Sequence, residues 1–116
     1  MVDDDVAVLK SLGRLLVSAG WKVEQFSNPE DFLRFAKIYQ SPVAVVDVCM
    51  PTTNGLEVQS RLRDVSPSTR VIVFTAKEDS RVREAALQAG ATAFFIKPFH
   101  DEEFLMAVRA AAAPLN

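Results

Sequence analysis

The chain has 116 residues, 49% of them hydrophobic and 24% charged, and 13 basic against 15 acidic side chains leave a formal charge of −2. A chain of this length buries roughly two-thirds of its unfolded surface, so the expectation is one domain over 1–116 that folds without disulfides or a structural metal. The near-neutral balance without a basic run argues against direct nucleic-acid binding, and a single cysteine and a single histidine supply no zinc ligand set. With no apolar leader at the start and no run of about 18 apolar residues, the chain reads as cytoplasmic, with no membrane contact.

Two kinds of apolar run alternate along the sequence, one with helical period and one short, continuous and β-branched, which predicts an α/β fold with a parallel sheet. The first strand is the anomaly: only Met1 and Val2 precede three aspartates, far short of the usual length, so either the N-terminus is clipped or this strand is poorly made. A helix follows over 6–19, with Leu9, Leu12 and Leu16 as its core stripe and Gly20 as a left-handed cap. Residues 21–26 read as a weak edge strand in which Trp21 packs. Asn28 and Pro29 form an N-cap and first helical position for a helix over 29–39. Next come a strand at 43–46, a helix at 55–64, a strand at 71–74 and a helix at 80–89, capped by Asp79 or Ser80 and ended by Gly90. A last strand at 93–96 and a helix at 101–112 complete the chain, with His100 at the surface or capping that helix. Side chains alternate along the last strand, so Phe95 is expected in the core and Phe94 facing outward.

Open parallel sheets bind ligands outside the carboxyl ends of their strands. Here those ends read Asp3-Asp4-Asp5, Asp47, Thr75, and Lys97 followed by Pro98. Asp3, Asp4 and Asp47 against Lys97 leave two negative charges in one crevice, which suits a hard divalent cation with oxygen ligands. With the ion bound, the crevice could accept a phosphoryl group, with Asp47 as a candidate nucleophile and Thr75 and Lys97 each holding a phosphoryl oxygen.

The strings Val2-Asp-Asp-Asp5, Val46-Asp-Val-Cys-Met-Pro51 with Asn54-Gly55, Phe74-Thr-Ala76 and Phe95-Ile-Lys-Pro-Phe99 resemble the response-regulator receiver domain of two-component signalling, a CheY-like family. The resemblance covers essentially the whole chain, and the segments 26–33 and 97–99 are similar to FixJ/NarL-like regulators in particular. It implies a flavodoxin-like three-layer sandwich with five helices and a five-stranded parallel sheet in the order 2-1-3-4-5. It also implies a switch in which a sensor histidine kinase phosphorylates Asp47 with Mg²⁺, for which Mn²⁺ can stand in. By the same resemblance Asp3, Asp4, Asp47 and the Cys49 backbone carbonyl hold the metal, and Asp5 lies outside that set. Thr75 and Phe94 form the switch pair, a cis peptide precedes Pro98, and Cys49 and Lys77 sit where side chains control the hydrolytic water. Phosphorylation then alters the face made by 80–89, 93–96 and 101–112, on which a homodimer is one expectation and control of transcription, through an output domain outside this chain, the expected output.

Each of these residues has an ordinary reading as well. Consecutive aspartates are commonly a solvated tip, Thr75 and Lys97 singly a cap and a surface charge, and Cys49 a loop residue. Two other functions stand beside the switch: a stand-alone receiver working by protein contacts, and a phosphohydrolase of the haloacid-dehalogenase kind. The hydrolase would want an acid two residues beyond the nucleophile, where this chain has Cys49. Self-phosphorylation and self-dephosphorylation aside, the expected protein is not an enzyme.

Overall fold

A computed structural model describes residues 1–3, 5–47, 55–75, 80–97 and 99–113. The elements run α1 (Val6–Ser18), α2 (Pro29–Tyr39), β1 (Val43–Asp47), α3 (Gly55–Val65), β2 (Arg70–Thr75), α4 (Ser80–Gln88), β3 (Ala93–Ile96) and α5 (Asp101–Ala112). The three strands pair in parallel in the order β1-β2-β3, with Ala44 opposite Val71, Asp47 opposite Phe74, and Thr75 opposite Ile96. Beyond β1 the sheet continues as single parallel bridges from Val2 to Val46 and from Val2 to Phe26. The Val2 amide donates to Val45 O at 2.9 Å and its carbonyl accepts from Asp47 N at 3.1 Å.

Local signals in the sequence explain the helix ends. The Asp5 carboxylate caps α1 by accepting from Ala7 N at 2.9 Å, and Asn28 Oδ1 caps α2 by accepting from Glu30 N at 2.8 Å with Pro29 next in line. Gly20 at φ 93° and Gly90 at φ 102° take the left-handed conformation that ends α1 and α4, where a Cβ would be strained. His100 stands at the N-cap position of α5, but its side chain makes no capping bond; Asp101, Glu102 and Glu103 in the first turn suit the helix dipole instead.

The edge strand expected at 21–26 is not formed, and only Phe26 is bridged. Val2 bridges to Phe26 alone, and residues 21–25 have no ladder partner among the described residues.

Alternating strand residues feed two cores. On one face Val2, Ala44, Val46, Val71 and Val73 pack with Phe32, Leu33 and Ala36 of α2, Val58 and Leu62 of α3, and Ala86 of α4. On the other, Met1, Val45, Ile72 and Phe74 pack with Leu9, Leu12 and Leu16 of α1 and Phe104, Val108 and Ala111 of α5. Helices therefore cover both faces of a parallel sheet. This corrects the expectation for β3: Phe95 packs on the α5 side, but Phe94 does not face outward, since it packs half-buried on the α4 side.

Candidate functional site

The sheet registers place the predicted residues at one edge. Asp3 directly follows the bridged Val2, and its amide donates to Phe26 O at 3.1 Å. Asp47 is the last residue of β1 and Thr75 the last of β2. Lys97 is the first residue past β3, held by its amide on Thr75 O at 2.8 Å. All are carried by backbone that the ladder or its extension fixes, so the side chains inherit the rigidity of the sheet.

Asp3 is fully buried, Thr75 is fully buried and Asp47 is 4% exposed. The Lys97 ammonium joins the two acids, with Nζ 3.2 Å from Asp3 Oδ2 and 3.6 Å from Asp47 Oδ2. The other oxygen of Asp3 accepts from Asp5 N at 3.0 Å. Nζ also lies 4.5 Å from the centroid of the Phe74 ring, whose π face favours a cation. Burying two carboxylates is costly without compensation, and among the described residues two acids and one ammonium leave a net negative charge at this edge. Additional positive charge is the natural complement, and the donors are hard oxygens of the kind Mg²⁺ prefers. The residues present therefore fit a divalent cation.

Of the residues expected at the site, Asp3, Asp47, Thr75 and Lys97 come together, while Asp4, Cys49, Lys77 and Pro98 lie outside the described residues. Phe94 is on β3 beside the α4 core, two positions from Ile96, the partner of Thr75. Phe74 was missed as a partner of Lys97, because its place in a continuous apolar strand marks it only as core. Among the described residues, no helix is long and apolar enough to cross a membrane.

A parallel α/β sheet covered on both faces, with a buried acidic crevice bridged by lysine at its carboxyl edge, defines the class. The chain belongs to the response regulator receiver domain family of two-component signalling, whose model matches residues 1–109. It is 39% identical over 111 residues to response regulator protein TodT of Pseudomonas putida, covering 96% of this chain and 49% of that protein. It thus spans about half the length of the curated relatives it matches. Among solved structures, the beryllofluoride-activated NtrC4 receiver domain dimer superposes with a TM-score of 0.89 at 30% identity, over 95% of this chain and 91% of that one. A Burkholderia pseudomallei response regulator with a phosphorylated aspartic acid and a calcium ion superposes with a TM-score of 0.86 at 27% identity, over 96% and 65%. The fold is CheY-like, with five helices and a parallel sheet among the described residues.

Proposed function

We propose that the chain acts as one phospho-acceptor domain, taking a phosphoryl group from a sensor histidine kinase onto Asp47. The observation that carries this reading is the convergence of two buried carboxylates, Asp3 and Asp47, on the single ammonium of Lys97 at the carboxyl edge of a parallel sheet. An Asp47 carboxylate oxygen attacks phosphorus as the phosphorus–nitrogen bond of the donor histidine breaks, leaving an acyl phosphate on Asp47 and the electron pair on the imidazole. Lys97 then pairs with a phosphoryl oxygen, and Thr75 supplies a hydroxyl to another. Asp3 and Asp47, with Asp4 and the Cys49 carbonyl, are the residues assigned to hold Mg²⁺, which when bound offsets the charge of phosphate and acids. The calcium and phosphoaspartate in the Burkholderia relative support this assignment.

The bridges at Val2 and Phe26 support a complete sheet order of 2-1-3-4-5, with those two short segments counted as the first strands. The output we assign is a change in the face made by α4, β3 and α5, driven by Thr75 moving toward the phosphoryl group and Phe94 repacking behind it. Leu87 on α4 and Met106 on α5 are exposed apolar residues suited to a seam between two copies, and the NtrC4 relative is a dimer when activated. Transcription is the proposed end point, since TodT and MprA relatives are response regulators about twice this length, with room for an output domain.

The deciding experiment is intact mass after incubation with acetyl phosphate and Mg²⁺. The wild-type chain should gain a single phosphoryl group, and Asp47→Asn should gain none. Modification of the Asn variant under the same conditions would move the acceptor elsewhere.

A further inference from the structure

Among the described residues, Gln59 of α3 is the one buried polar side chain away from the crevice that joins two helices. It is 2% exposed, and its Nε2 donates to the Ala86 carbonyl at 2.9 Å, in the last turns of α4. The same carbonyl accepts from Ala91 N at 3.1 Å, the bond that closes the left-handed turn at Gly90. Gln59 therefore grips the terminal turn of α4 from the neighbouring helix. The grip is incomplete, because Gln59 Oε1 is buried with no hydrogen-bond partner among the described residues. The buried oxygen carries a desolvation cost in either arrangement, so Gln59 adds little to global stability, while the bond from its nitrogen still favours the α4 turn being closed where it is.

The rest of α4 is held lightly. Only Ala86 is buried, while Arg81, Arg83, Glu84, Leu87 and Gln88 are exposed. α4 packs through the buried Ala86 and the half-buried Val82 and is otherwise mostly exposed, so a directional bond to its end decides more about where it sits than about whether the domain folds.

The geometry points to Gln59 as a positioning residue that pins the C-terminal turn of α4 and biases the receiver toward its unphosphorylated arrangement. The bond acts on one of two arrangements of a weakly packed helix, so its removal should shift their populations rather than unfold the protein. The inference rests on the reading above, in which the face containing α4 is the one that rearranges.

The test compares wild type with Gln59→Leu and Gln59→Met, which keep the side-chain bulk while removing both the donor and the orphaned acceptor. Two readouts are needed. Amide hydrogen exchange at Gly90 and Ala91, without phosphorylation, should speed up about fivefold in both variants, the ratio that one net hydrogen bond corresponds to, while exchange in β1 and β2 stays unchanged. Beryllofluoride with Mg²⁺ should half-saturate the variants at a lower concentration by a similar factor, as expected when a restraint on the inactive arrangement is lost. Unchanged exchange at Gly90 and Ala91 in both variants would overturn the pin. Faster exchange with no change in the half-saturation point would overturn its role in the switch. A wild-type protein that binds beryllofluoride without any change in α4 would instead sink the output face, a failure separable from the exchange result. If Gln59→Leu fails to fold, Gln59→Met, unbranched and closest in shape, carries both measurements.

Discussion

The two ends of the sheet bury charge in opposite ways. At the carboxyl edge, Asp3 and Asp47 are buried with an ammonium between them, and Asp3 has a backbone donor on its second oxygen. At the other end, the Met1 amine is buried with the Glu24 carbonyl as its hydrogen-bond partner at 3.0 Å. That end opens into a cleft of about 150 Å³, lined by Trp21, Val23, Phe26, Phe35, Val43 and Val45. Burial pushes the amine from 8.0 down to about 5, more than the attraction of Glu24 restores. The lesson is that depth alone does not decide what a buried charge does. At the carboxyl edge each buried acid has an ammonium within 4 Å, whereas the Met1 amine bonds a carbonyl and the attraction of Glu24 does not offset the cost of its burial.

The sharpest break in this comparison is a pH experiment. Because the folded amine binds its proton less readily than the unfolded one, stability is full above about pH 8 and falls as pH drops toward 5, where the unfolded chain takes up a proton that the folded chain refuses. A lowering of about three pH units corresponds to a loss of about 4 kcal/mol across that window. Urea unfolding at several pH values, run on the 116-residue chain with a free and with an acetylated amine, checks it. The acetylated chain should lack this part of the pH dependence. Parallel curves for the two would remove the amine from the account.

At the opposite edge the corresponding break is Lys97→Met, which keeps the stem and deletes the ammonium. Two carboxylates are then left buried together, and losing one partner of a buried ion pair costs about 3 kcal/mol. The midpoint of urea unfolding should fall in metal-free buffer, and Mg²⁺ should restore more stability to the variant than it adds to wild type, because a cation replaces the missing charge. If the midpoint does not move, the ammonium does not hold the acids together.

How much of this could be read from the sequence follows the range of the interactions. The described helices and the three strands come out within one residue of where periodicity puts them, because the signals are local: Asn28-Pro29, Gly20, Gly90 and the β-branched runs. Asp3, Asp47, Thr75 and Lys97 could be placed together because they follow from one rule about strand ends. The failures are non-local. A strand at 21–26 needs a partner of equal length, and Phe94 was expected outside because nothing local says that α4 covers that face. The Gln59 to Ala86 bond, the Lys97 to Phe74 contact and the burial of the Met1 amine join residues 27, 23 and 23 apart, and no single-residue pattern announces them.

The smallest effect separates two neighbours within the aspartate run. Asp3 is fully buried and faces Lys97, whereas Asp5 is exposed and spends its carboxylate on Ala7 N and Val8 N at 2.9 and 3.4 Å. Asp5 also touches the crevice, but only through its backbone amide, which any residue except proline supplies to Asp3 Oδ1. Asp5→Ala should therefore lose about 1 kcal/mol of stability, the usual value of an N-cap, while phosphoryl uptake from acetyl phosphate keeps its wild-type rate and Mg²⁺ requirement. Asp5→Ser, which keeps a capping oxygen, should recover most of the stability. Asp3→Ala should do the reverse in kind, slowing phosphorylation and raising the Mg²⁺ concentration it needs, because a carboxylate at the crevice is gone. Should Asp5→Ala slow phosphorylation as much as Asp3→Ala does, the two acids would share one task, and the contrast between a buried, paired carboxylate and an exposed capping one would fail at the residues where it is drawn most finely.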